Sequence, residues 1–311
     1  MNIGIVGLGH LGKIHLKLLA EIPDFKITAI YDLNTELTTE LASLYQTKAC
    51  LSYEELLESC EAVSIVTSTP THFELAAKAI KKGRHVFLEK PATDNLETTR
   101  QLLSLSAEAG VTIQVGHVER FNPGFTAVKP FIGTPIVFEA NRLAKYNIRG
   151  TDVSVVVDLM IHDIDLLLNV TQSGIKKISA NGSKVVSTTA DIANARIEFD
   201  NGLVATLTAN RVAPENVRSV KIFQKNTYIT VNLLDKTALV QKVLTEKNPS
   251  SEPEIIEKYV TGTPVNAIKM ELESFYRSII TNTPVMVSLN DAEAAMKVVR
   301  EIELQINAQL A

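Results

Sequence analysis

The chain has 311 residues, with 31 basic against 35 acidic side chains for a net charge of −4, and 45% of it is apolar. That length is enough for two domains, since chains of about 300 residues bury roughly three quarters of the surface they expose when unfolded. The near balance of charge, without a lysine or arginine run, argues against a nucleic-acid partner, and no apolar stretch reaches the ~18 residues of a membrane span. The opening lacks the basic leader of a secretory signal. The two cysteines, Cys50 and Cys60, match neither a zinc site nor a disulfide framework. A cytoplasmic protein with reduced, buried thiols is expected.

Residues 3–6, Ile-Gly-Ile-Val, form an apolar run that breaks into the turn Gly7-Leu8-Gly9-His10-Leu11-Gly12. This predicts a buried strand leading into a helix whose free N–H groups and positive dipole end face a pyrophosphate. Gly9 would let backbone approach phosphate, and Gly12 would let the helix approach the strand. A second apolar strand over residues 26–32 ends in Asp32, where the adenine ribose of a dinucleotide lies. Its carboxylate would accept from two ribose hydroxyls and repel a ribose phosphate. Leu33 and Asn34 offer no cation, so NAD is favoured over NADP. The competing reading makes Asp32 the N-cap of a helix predicted over residues 35–45.

Further strands are predicted over residues 62–66, 85–88 and 111–115, alternating with helices over 73–82 and 96–109, the pattern of a doubly wound parallel sheet. After Arg120 the pattern changes. A helix over residues 155–170 precedes extended stretches at 178–186, 192–199, 204–208, 220–223 and 228–233, and strands in succession imply an antiparallel sheet. Asp200-Asn201-Gly202 supplies a hairpin turn. Helices are predicted over residues 265–281 and 291–310, and residues 247–253, with two prolines and two serines, read as an exposed loop. The fold class is therefore α/β, with a dinucleotide-binding domain over 1–119 and an α+β domain with an open, mostly antiparallel sheet over 120–311.

Lys90 follows the strand at 85–88, at the carboxyl end where open α/β sheets bind ligands, and Pro91 restricts its backbone. An ammonium there can stabilise an alkoxide developing on a substrate; a solvated loop lysine is the plainer alternative. In Asp158-Leu-Met-Ile-His162-Asp-Ile-Asp165, helical spacing lines Asp158, His162 and Asp165 along one face, and an aspartate one turn from a histidine suits a general base. A surface ion pair or a metal site are the competing readings, and no other segment offers a cluster of metal partners. Thr67, Ser68, Thr69 and His72 follow another strand at the same sheet edge and are expected to contact ribose and pyrophosphate, while Thr71 is equally suited to cap the following helix. His10 and His117 lie near the expected crevice, where each could instead hydrogen-bond backbone. His15 and His85 carry no positional argument.

Together the glycine turn, the Thr-Pro-Thr-His stretch ending at His72, Glu89-Lys90-Pro91 and the Asp158–His162 pair resemble the glucose–fructose oxidoreductase, inositol dehydrogenase and rhizopine-catabolism family, Gfo/Idh/MocA, across nearly the whole chain. The resemblance implies a Rossmann domain, a second domain whose open sheet mediates homodimers or homotetramers, and cofactor contacts that include Glu89. It also implies catalytic roles for Lys90 and His162 with Asp158 orienting them, and a Lys90–Pro91 bond that is cis in relatives. Residues 116–123, Gly-His-Val-Glu-Arg-Phe-Asn-Pro, look like those of members that oxidise C3 of UDP-N-acetylhexosamines, with Arg120 and Asn122 toward substrate. Pairing of Arg120 with Glu119 or Glu139 is an even alternative. The implied activity is an NAD-dependent dehydrogenase of a sugar, polyol or nucleotide-sugar secondary alcohol. A non-catalytic dinucleotide-sensing regulator and a biliverdin-reductase-like reductase are the alternatives, and Lys90, Asp158 and His162 argue against both.

Overall fold

The computed structural model describes residues 1–148, 150–244 and 254–310, so the loop predicted over 247–253 lies outside the described residues. By packing, the chain forms two compact units, residues 1–118 with 266–294, and residues 119–265 with 295–311. A division at 119/120 alone does not describe this, because residues 266–294 return to the first unit. The reason is hydrophobic: Leu272 and Phe275 are fully buried among Ile3, Leu16, Leu19 and Phe87, and the rings of Phe87 and Phe275 meet edge to face at 5.9 Å.

In the first unit six parallel strands are described, β1 (Asn2–Val6), β2 (Lys26–Tyr31), β3 (Lys48–Ala49), β4 (Ala62–Ile65), β5 (His85–Glu89) and β6 (Ile113–Gly116), in the order β3-β2-β1-β4-β5-β6. The connecting helices are α1 (His10–Ala20), α2 (Thr35–Tyr45), α3 (Tyr53–Glu58), α4 (His72–Lys81) and α5 (Leu96–Ala109). The sheet order reverses at β1, which places the carboxyl ends of β1 and β4 beside one crevice, the topological switch point where such sheets bind ligands. Central strands β1 and β4 are buried on both faces and so read as continuous apolar runs.

The second unit starts with α6 (Pro123–Val128) and carries an eight-stranded sheet among its described residues, β7 (Pro135–Leu143), β8 (Ile175–Ser183), β9 (Ile192–Phe199), β10 (Val204–Asn210), β11 (Val217–Gln224), β12 (Thr227–Asn232), β13 (Thr237–Leu244) and β14 (Glu254–Thr261). The order is β14-β13-β12-β11-β7-β10-β9-β8, and all pairs are antiparallel except β7 with β10. β9 and β10 pair across the turn expected at residues 200–202. Strands β7, β13 and β14 were not expected from the sequence. The helix predicted over 155–170 is instead a π-helical turn, Val156–Met160, followed by α7 (Ile161–Val170). Residues 265–281 and 291–310 correspond to α8 (Ala267–Thr281) and α9 (Leu289–Leu310).

Candidate functional site

The glycine turn is built on close approach. Gly7 has φ +89°, a left-handed value that favours glycine, and a side-chain carbon at Gly12 would lie 1.9 Å from the Gly7 carbonyl oxygen. Helix α1 begins after Gly9 with no side-chain cap on its first N–H groups, and a carbon added at Gly9 would meet nothing within 4 Å. Open space above an uncapped helix start is what a pyrophosphate requires. A cleft of about 490 Å³ opens there, lined by Gly7, Gly9, Asp32, Thr67 and Ser68, and on its far side by Tyr53, Leu75 and Lys78. The residues present therefore fit a dinucleotide.

Asp32 is not a helix cap. Its Oδ2 accepts the Leu8 N–H at 2.6 Å and its Oδ1 the Asn34 N–H at 2.9 Å, while Asn34 caps α2 by accepting from Leu37 N. The carboxylate is thus fixed at the rim of the cleft, and two sides of the glycine turn and strand β2 are tied through it. Across the cleft the Lys78 ammonium is 3.1 Å from Glu54 and 3.1 Å from Glu74, and the hydrogen bonds it donates to Glu74 and Glu54 hold its pKa above the ordinary lysine value. A cation so engaged does not offset the acidic rim, which disfavours an additional ribose phosphate.

Other expected cofactor residues are used differently. Leu8 and Gly12 are buried behind the turn, and His10 and Leu11 stand at the start of α1 without lining the cleft. His72 is 1% exposed, and its ring is held between the Pro91 and Thr67 carbonyl oxygens. Thr71 does not cap α4: its hydroxyl meets the Thr67 hydroxyl at 2.7 Å and donates to Ser68 O. Thr69 is half-buried in the same turn. Glu89 is turned inward, with Oε1 3.1 Å from His15 Nε2 and Oε2 accepting the Lys90 N–H at 3.2 Å. A side-chain carbon at Gly116 would lie 2.9 Å from that carboxyl group. His15, for which no positional argument existed, thereby braces the residue before Lys90, and its place on the apolar face of α1 between Leu11 and Leu19 was the available signal. Lys90 is half-buried at the end of β5, and the Lys90–Pro91 bond is cis. His85 accepts the Thr112 N–H and joins neighbouring strand ends.

In the second unit Asp158 lies in the π-helical turn and His162 in the first turn of α7, both half-buried. Gly150 packs on Asp158, where a side-chain carbon would sit 2.9 Å from Oδ2. Asp165, three residues after His162, is buried in a bidentate pair with Arg120 at 2.7 and 2.8 Å. The guanidinium is 3% exposed and pairs with Asp165, a carboxylate the sequence reading had not matched to it. Asn122 is likewise internal, since its oxygen accepts Gly124 N and its amide donates to Glu119 and Leu233 O. Glu119 and Asp163 both bind Arg142. Burial opposes the charge on Arg142, but Asp163 and Glu119 more than offset it and hold its pKa above the ordinary arginine value.

Two family models match this chain. Residues 1–117 match the oxidoreductase family with an NAD-binding Rossmann fold, and residues 132–229 match the GFO/IDH/MocA C-terminal domain. The chain belongs to the Gfo/Idh/MocA oxidoreductase family. It is 34% identical over 286 residues to the UDP-N-acetylglucosamine 3-dehydrogenase of Acidithiobacillus ferrooxidans, covering 92% of this chain and 90% of that one. A solved structure of that enzyme superposes with a TM-score of 0.93 at 32% identity over 99% of this chain and 98% of the other. The myo-inositol 2-dehydrogenase of Thermotoga maritima is 25% identical over 319 residues, 95% of this chain and 93% of its own. This protein is an NAD-dependent oxidoreductase of that family, acting on CH–OH groups. Among the described residues no membrane-spanning helix and no group of three or more metal-ligating side chains occurs.

Proposed function

We propose that the protein oxidises the C3 hydroxyl of a UDP-N-acetylhexosamine to a ketone, with Lys90 and His162 as its catalytic residues. The observation that carries the residue assignment is Lys90, whose ammonium extends from the carboxyl end of β5 on a backbone fixed from both sides, by Glu89 before it and by the His72-bound Pro91 carbonyl after it. The substrate class is supported by the likeness to the Acidithiobacillus enzyme over the full length of both chains.

NAD, when bound, would supply the acceptor for the hydride leaving the carbinol carbon. His162 takes the hydroxyl proton, and Asp158, one turn earlier, orients the imidazole and supports its positive charge. Lys90 lowers the barrier by stabilising the oxygen as its negative charge grows. Gly7, Gly9, Thr67 and Ser68 seat the cofactor, and Asp32 receives the ribose hydroxyls. We further assign the protein to the cytoplasm as a homodimer or homotetramer built on the sheet of the second unit.

The test is turnover with NAD and a panel of UDP-N-acetylglucosamine, UDP-N-acetylgalactosamine, myo-inositol and glucose, followed by absorbance of the reduced cofactor. Lys90→Ala and His162→Ala should each lower kcat by about 10²-fold or more. Equal rates for both variants and wild type on a turned-over substrate would refute the catalytic assignment, and turnover of myo-inositol alone would refute the substrate.

A further inference from the structure

His72 stands at the head of α4 and its ring is enclosed. Nδ1 lies 2.9 Å from the Pro91 carbonyl oxygen and Nε2 lies 3.1 Å from the Thr67 carbonyl oxygen. The two carbonyls belong to the segments that leave adjacent strands, since β4 and β5 pair up to Ile65 opposite Leu88. Thr67 lines the cofactor cleft. Pro91 follows Lys90. An imidazole is rigid, donating from one nitrogen in either neutral tautomer and from both only as the imidazolium, so in each form its two close contacts set the separation of the two segments.

We propose that His72 is a positioning residue that sets the cofactor-lining loop at Thr67 in register with the Lys90–Pro91 corner, touching neither cofactor nor substrate. A misplacement of 1 Å between reacting groups can cost about 10²-fold in rate, and these segments have no strand ladder of their own beyond β4 and β5 to hold that spacing. The inference rests on the assignment of Lys90 as catalytic.

The two nitrogens can be separated by substitution. The amide nitrogen of His72→Asn can stand at the Nδ1 position and donate to the Pro91 carbonyl, whereas that of His72→Gln can stand at the Nε2 position and donate to the Thr67 carbonyl. Dissociation constants for NADH, read by fluorescence without any sugar, report the Thr67 side; kcat with NAD and UDP-N-acetylglucosamine reports the Lys90 side. We expect His72→Asn to weaken NADH binding about tenfold with kcat within about twofold, and His72→Gln to lower kcat about tenfold with NADH binding within about twofold. His72→Ala should lose on both measures.

Normal NADH binding and normal kcat in His72→Ala would overturn the inference. So would equal losses on both measures in the Asn and Gln variants that track a common fall in melting temperature, because that is what a merely structural ring gives. Lys90→Ala run alongside separates the two readings. An active Lys90→Ala removes the catalytic assignment, while an inactive Lys90→Ala with unaffected His72 variants removes only the positioning role.

Discussion

Asp32 supports the glycine turn through the Leu8 N–H, and the proposal above gives the same carboxylate the ribose hydroxyls. Replacing it with serine removes the like charge that a ribose phosphate would meet, but also the acceptor that holds the turn. Asp32→Ser combined with Leu33→Arg is therefore expected to shift the ratio of kcat/KM for NADP over NAD by about tenfold or more, mainly through loss with NAD. Steady-state rates with both cofactors check it, and an unchanged ratio would mean that the ribose lies elsewhere. Asp32 was legible because a carboxylate at the end of a strand, twenty residues past a glycine turn, is a linear signal. His15, His72, Glu89 and Arg120 were not, because a sequence shows which face a side chain occupies and not which group stands opposite it.

Helix periods read well in this chain, and strands with polar alternate positions did not. β7 carries Glu139, Asn141 and Arg142 between its apolar residues, so it lacks the continuous apolar run of β1 even though it lies in the middle of its sheet. Between β8 and β9, Asp191 shows how elements without regular structure are held. Its Oδ2 accepts the N–H groups of Val185, Val186 and Ser187 at 2.7 to 2.9 Å, and its other oxygen is 3.4 Å from Arg211 Nε. Arg211 in turn donates to the carbonyls of Gly150, Val153 and Ala190, fixing the approach to Asp158. Burial opposes ionisation of Asp191, but the backbone donors outweigh it and bring its pKa down to about 2. Because the folded value is depressed, its stabilisation is complete above the unfolded value near 3.8 and disappears as pH falls through about 2. Asp191→Asn should cost roughly 1–3 kcal/mol at pH 7. Denaturant titrations should show that gap closing between about pH 4 and pH 2, and a gap constant with pH would contradict the assignment.

At the scale of the molecule, the open sheet of the second unit has β14 at one edge, and Ile255, Ile256 and Tyr259 stand exposed along it, Tyr259 by 78%. An edge strand with exposed large apolar side chains is a liability for a lone chain. Light scattering should accordingly give the mass of two or four chains, and a single-chain mass at micromolar concentration would remove the assembly proposed above. The α/β class and both sheets were legible from the alternation of elements. The return of residues 266–294 was not, since the apolar face of α8 says that the helix is covered without saying by what.

That return has a consequence during synthesis. The strands that will cradle the nucleotide leave the ribosome early, but Leu272 and Phe275, which close the core over Phe87, are translated only after every strand of the other sheet. The nascent nucleotide-binding segment must wait while about half of the chain is translated with an uncovered apolar surface, a period in which chaperones and proteases compete for it.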